Sequence, residues 1–124
     1  MARFVFVALA ICISLALADD TKYSTENDNF DLEGVIAKPE EFKKFTGCFL
    51  DRNPCDAVAS DFKNDFPEVF KEACAKCTDA QKHLMNRYLA VVKEQYPQDF
   101  EEIKKKYDPE SKYLAALLKA VANA

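Results

Sequence analysis

Apolar residues recur at helical spacing along most of this chain. After Pro39, a residue suited to the first turn of a helix, Phe42, Phe45 and Phe49 fall at i, i+3 and i+7. Asn53-Pro54 interrupts that pattern, and Asp56 can cap a helix whose inward face is Val58, Phe62 and Phe66. Pro67 predicts a restart, with Val69, Phe70 and Ala73 on the new helix. Thr78-x-x-Gln81 reads as a capping box. It opens the longest helix, to about Gln95, with a stripe of Leu84, Met85, Tyr88, Leu89, Val92 and Tyr96. Pro97 starts another helix with Phe100, Ile103 and Tyr107 on one side. Asp108-Pro109 turns the chain into a last helix from about Glu110, carrying Tyr113, Leu114, Leu117, Leu118 and Val121. A short helical turn over Asp31 to Ile36 follows a polar N-terminal arm. No stretch alternates as a half-buried strand does. The pattern therefore predicts an all-α fold, a compact bundle of about six short helices joined by short corners.

The first segment has a different pattern. Arg3 precedes an apolar run from Phe4 to Leu17, broken only by Ser14 and ending in Ala16-Leu17-Ala18. A basic start, an apolar centre and an A-x-A end describe a cleaved signal peptide over residues 1–18. About 18 residues barely span a bilayer, and the chain turns polar at Asp19 with no basic stop-transfer cluster. The expected product is secreted, with no stable membrane insertion. Residues 19–124 then form a single domain of 124 − 18 = 106 residues. Loss of Arg3 takes the net charge from −4 to −5. An acidic domain of this size lacks the basic footprint of a nucleic-acid binder and is repelled by anionic membrane surfaces. Two glycines and no Gly/Ser tract leave no flexible linker. The expected product is a monomer.

Cys12 leaves with the signal, so four cysteines remain, spaced C-x6-C-x18-C-x2-C from Cys48 to Cys77. Export supplies an oxidising compartment, and an even count there reads as two disulfides. Four cysteines allow three pairings. Loop entropy does not choose among them, because crossed pairings close longer loops. Proximity favours Cys48–Cys55 across the Asn53-Pro54 corner and Cys74–Cys77 within one turn. Cys74-Ala75-Lys76-Cys77 is formally a C-x-x-C redox motif, but such motifs work beside a βαβ sheet that this pattern lacks. A four-cysteine zinc site prefers two close pairs, and the x6 gap is wide.

No catalytic set is evident. His83 is the sole histidine, and no nucleophile elbow, phosphate loop or metal-spaced cluster is present. The run Glu101, Glu102, Lys104, Lys105, Lys106 reads as a solvated helix face. The expectation is a non-enzyme without cofactor or metal.

Several motifs together resemble the insect chemosensory, or olfactory-segment D, family. They are the cysteine spacing; Asp28-Asn29-Phe30-Asp31-Leu32; Asn53-Pro54-Cys55; Cys74-Ala75-Lys76-Cys77-Thr78 with Gln81-Lys82; and Lys106-Tyr107-Asp108-Pro109-Glu110. The resemblance implies six helices around an apolar channel, two local disulfides, and a carrier that reversibly binds hydrophobic small molecules such as long-chain alcohols, acids, esters or other semiochemicals. There are departures: Phe100 stands where the family often has Trp, Phe45 where a Tyr is common, and Asn53 where Gly is usual before the corner proline.

On that resemblance the candidate ligand wall is Phe45, Phe49, Phe62, Leu84, Met85, Leu89, Val92, Phe100 and Leu117, with Tyr88, Tyr113 and Asp28 as candidate partners for a polar head group. Met85 suits an adaptable wall. Periodicity alone reads the same residues as a filled core, which a domain of this size needs to fold. The competing function is a secreted protein-interaction or developmental factor with a solid bundle, whose apolar C-terminal helix (Leu114, Leu117, Leu118) docks a partner protein.

Overall fold

The computed structural model describes residues 22–124. The signal peptide expected over residues 1–18, and Cys12 within it, lie outside the described residues. Six helices follow: α1 (Leu32–Ile36), α2 (Pro39–Phe49), α3 (Ala57–Lys71), α4 (Asp79–Gln95), α5 (Pro97–Tyr107) and α6 (Leu114–Val121). There is no strand among the described residues. The long α4 is the spine, packed against α1, α5 and α6, while α3 packs on α2, α5 and α6.

Local chemistry sets most helix starts. Asp31 accepts from Gly34 N–H at 3.0 Å and Asp56 from Ala59 N–H at 2.8 Å. Thr78 and Gln81 form the full capping box of α4, at 3.1 and 3.0 Å. Pro39 and Pro97 open α2 and α5 without a side-chain cap.

Two boundaries differ from the sequence pattern. Pro67 does not restart a helix, because α3 runs through it. A proline inside a helix costs roughly 3 kcal/mol in lost bonding and crowding. Phe66 just before it and Val69 and Phe70 just after it are all buried, and each such burial stabilises by about 1.5–3 kcal/mol. Burial wins, and the helix stays continuous. It ends at Lys71, and both Ala73 and Cys74 adopt left-handed backbone (φ 52° and 60°). Ala73, expected on a helix, therefore lies in the turn that the Cys74–Cys77 disulfide closes.

The last helix starts at Leu114 and not near Glu110. The buried Asp108 carboxylate takes the N–H groups of Lys112, Tyr113 and Leu114 at 2.7, 3.1 and 2.9 Å. This holds residues 109–113 as a turn, with Ser111 at φ 55°. Burial alone would raise the Asp108 pKa, but the three backbone donors outweigh it and hold it below the ordinary carboxylate range. A depressed folded-state pKa means that the unfolded chain binds the proton first. The stabilisation is present above the unfolded carboxyl value, ~3.9, and is lost as pH falls through the folded value. Asp108→Asn is expected to cost about 1–2 kcal/mol at neutral pH. The deficit relative to the native chain should shrink in acid, which urea titrations at neutral and acid pH would read.

Both disulfides pair locally, Cys48–Cys55 and Cys74–Cys77, each with Cα atoms 5.0 Å apart. The first staples a tight corner. A Cβ on Gly47 would run into the side chain of Asn53; the Asn53 amide donates to the Lys44 carbonyl at 3.0 Å. Asp51, at φ 63° in the same loop, accepts from Lys63 of α3 and, at 2.6 Å, from Lys106 of α5. Hydrogen bonds from Lys106 and Lys63 lower its pKa to about 2. The pairs are solvent-exposed, so they locate the corner more than they stabilise it.

Candidate functional site

The arm that precedes α1 is stitched across the open side of α3 and α4. Tyr23 N–H donates to Lys76 O at 2.9 Å and its hydroxyl to Glu68 of α3 at 2.6 Å. Gln81 Nε2 of α4 donates to Ser24 O at 2.9 Å, Asn27 Nδ2 to Asp61 at 2.9 Å, and Thr78 Oγ1 to Asp28 at 3.1 Å. Beneath this strap lies an apolar cavity of about 50 Å³. Its walls come from the arm and α1 (Tyr23, Phe30, Leu32), α2 (Phe45, Phe49), α3 (Phe62, Asp65, Phe66, Val69), Cys77, and α4 (Gln81, Leu84, Met85, Tyr88).

The rings divide by burial. Phe49, Phe66 and Tyr88 are buried and form the floor, with Phe49 stacked on Phe66 at 4.5 Å and edge-on to Tyr88 at 5.6 Å. Phe30, Phe45 and Phe62 are half-buried and form the roof. Phe30 stacks on Phe45 at 5.4 Å and meets Phe62 edge-on at 5.4 Å. Such pairs are each worth about 0.5–1.5 kcal/mol beyond area burial. The roof is thus closed by contacts weak enough to be exchanged for others.

Four polar side chains line the cavity: Tyr23, Asp65, Gln81 and Tyr88. Three are engaged. Tyr23 donates to Glu68. Gln81 is held at both ends, by Ser24 O and by Thr78 N–H. The Tyr88 hydroxyl pairs with Thr46 at 2.8 Å, both buried, and burial raises its pKa so that it stays neutral. The Asp65 carboxylate has no hydrogen-bond or ion-pair partner among the described residues. Its pKa is raised, first by burial and then by Glu68 and Asp61, one helical turn away on either side.

Of the wall residues expected from sequence, Phe45, Phe49, Phe62, Leu84, Met85 and Tyr88 surround this cavity. Leu89, Val92, Phe100 and Leu117 are buried in the core but do not line it. Tyr113 is half-buried at the start of α6, and Asp28 sits in the arm beside Thr78, facing a second surface depression with Glu33, His83 and Arg87 that shares Phe30, Leu32 and Leu84 with the cavity. Sequence reasoning did not find Tyr23 and Phe30, because they are isolated apolar residues in a polar arm. It did not find Asp65 either, although Asp65 stands three residues after Phe62 and so shares its face. Among the described residues no group of His, Cys, Asp and Glu is placed to hold a metal ion. No described helix is long and apolar enough to cross a membrane.

Residues 23–115 match the insect pheromone-binding family A10/OS-D. The chain belongs to this family. Among curated relatives, this family member is 25% identical over 108 residues to ejaculatory bulb-specific protein 3 of Drosophila melanogaster, covering 87% of this chain and 86% of that one. It is also 25% identical over 111 residues to allergen Tha p 1 of Thaumetopoea pityocampa, covering 90% and 88%. A solved chemosensory protein in complex with bromo-dodecanol superposes with a TM-score of 0.73 at 22% identity, covering 83% of this chain and all of that one. That likeness establishes the helical fold.

Proposed function

We propose that this family member is a secreted carrier that reversibly binds and solubilises single-chain hydrophobic small molecules. The observation that carries this reading is the apolar cavity under the arm, roofed by Phe30, Phe45 and Phe62. Membership of a pheromone-binding family, and a solved relative bound to bromo-dodecanol, support the same ligand class. Reversible capture needs no turnover, which suits a cavity whose described lining residues include one carboxylate without a partner among them and no nucleophile–base pair. Export through the sequence expected at residues 1–18 would bring the domain to its ligands outside the cell.

The cavity size shapes the mechanism. A space of about 50 Å³ accepts about three to five waters, whereas a twelve-carbon chain brings about a dozen groups of comparable size. Ligand uptake therefore requires the roof rings to turn aside and the arm to yield. Burying twelve methylenes contributes roughly 10 kcal/mol. Lost ligand freedom and the displaced ring contacts offset part of this. Dissociation constants near micromolar, about −8 kcal/mol, are the expected result.

The narrow cavity also favours a second reading, a solid bundle that docks a partner protein through α6. That reading is weakened by where the leucines sit: Leu117 is buried, and Leu114 and Leu118 pack on the core. The test is displacement of the fluorescent apolar probe N-phenyl-1-naphthylamine by saturated alcohols and acids of twelve to eighteen carbons, using protein collected from the medium of expressing insect cells. Displacement near micromolar concentrations supports the carrier. Indifference to every chain supports the solid bundle. The intact mass of the same sample, if it begins at Asp19, supports the export reading.

A further inference from the structure

We propose that Asp65 is the specificity determinant of this cavity, favouring single-chain ligands whose polar end donates hydrogen bonds, alcohols and primary amines, over carboxylates. The inference rests on the carrier reading and adds the head-group chemistry. A head group inside an otherwise apolar cavity needs a partner, since an unpaired polar group out of water is costly. The hydroxyl of Tyr23, both ends of Gln81 and the hydroxyl of Tyr88 already have partners. The Asp65 carboxylate has none among the described residues, and an ionised carboxylate only accepts.

Position and charge agree with this. A polar depression of about 220 Å³ adjoins the cavity, and the two share Tyr23, Phe62, Asp65 and Gln81. Asp65 therefore stands at the boundary between the wet and the apolar space, where the head of an amphiphile would rest with its tail among the rings. The surrounding charge is negative. Asp61 and Glu68 flank Asp65 on α3, and Glu26 of the arm lines the depression. Of the lysines on this side, Lys76 is paired with Glu68 at 3.4 Å and Lys22 donates to the Ala75 carbonyl at 3.3 Å. The same carboxylate that welcomes a hydroxyl or an ammonium repels a fatty-acid head. Asp65 makes no hydrogen bond or ion pair with the described residues, and Glu68 and Asp61 beside it are like-charged, so a carboxylate-to-amide change should not threaten the fold.

The experiment compares dodecan-1-ol, dodecylamine and sodium dodecanoate as competitors of N-phenyl-1-naphthylamine near neutral pH and at low salt, in the native protein, Asp65→Asn and Asp65→Ala. In the native protein the alcohol and the amine should displace the probe at concentrations at least about tenfold below those needed for dodecanoate. In either variant that melts cooperatively, dodecanoate should come within about threefold of dodecanol, and the amine should lose its advantage. Equal displacement by alcohol and carboxylate in the native protein overturns the proposal and leaves the carrier reading standing. So does a preference that persists undiminished in the variants. Failure of all three amphiphiles in the native protein overturns the carrier reading and this one with it.

Discussion

Phe49→Ala should lower the unfolding free energy by about 3–5 kcal/mol. Phe49 is 1% exposed and is the hub of the aromatic floor. Its ring lies 4.7 Å from Phe45, 4.5 Å from Phe66 and 5.6 Å from Tyr88. Its own carbonyl accepts the Tyr107 hydroxyl at 2.7 Å and so ties α2 to α5. Truncation removes the ring's burial and leaves a void that three flanking rings cannot all fill from their rotamers. A domain of this size has only about 5–15 kcal/mol in total, so the loss should be plain in a urea titration as a lower midpoint with unchanged slope. A loss under about 1 kcal/mol would mean that the floor collapses freely and is not a fixed wall. The void would also open into the existing cavity. Dodecan-1-ol should therefore raise the melting temperature of Phe49→Ala more than that of the native protein, because a ligand that binds only the folded state stabilises it by RT ln(1 + [L]/Kd), which grows as binding tightens.

Removing the Cys48–Cys55 bond by Cys48→Ala with Cys55→Ala should cost about 2–2.5 kcal/mol, the loop-entropy value for a bridge spanning seven positions. The melting temperature should fall by about 10–15 °C. The corresponding change at Cys74 and Cys77, which are three positions apart, should cost somewhat less. The first corner carries more besides. It holds Asp51 between Lys63 and Lys106, and it holds Arg52 at 2.8 Å from Asp99. These are solvent-exposed ion pairs of small individual worth, but loosening the corner releases them together. A melting temperature within about 3 °C of the native value would show that packing alone secures the corner.

The parts that could be read from sequence follow from short-range chemistry. The capping box at Thr78 and Gln81, the caps at Asp31 and Asp56, and the prolines at the starts of α2 and α5 each act within one turn, so the residue types are enough. Local disulfide pairing was legible for the same reason, since each bond spans one corner. Pro67 misled because its local cost is evident, whereas the burial of Phe66, Val69 and Phe70 that overrides it is tertiary. The start of α6 misled because Asp108 reaches forward to three backbone donors from outside the helix.

The cavity divides along the same line. Phe45, Phe49, Phe62, Leu84, Met85 and Tyr88 have the spacing of an inward face, and periodicity brings them to the interior. The same rule selects Leu89, Val92 and Leu117, which are interior and do not line the cavity. A helical stripe specifies which residues leave water, but not which of them border a gap. That depends on how three helices and an arm miss one another, through contacts between residues far apart in the chain. Thus the residues alone determined an all-helical, doubly stapled acidic domain. The tertiary structure decided that Tyr23 and Phe30 close a cavity from the arm, that Tyr88 spends its hydroxyl on Thr46, and that Asp65 stands there without a partner among the described residues. Side-chain chemistry is local, whereas vacancy and the pairing of polar groups arise only when distant segments meet.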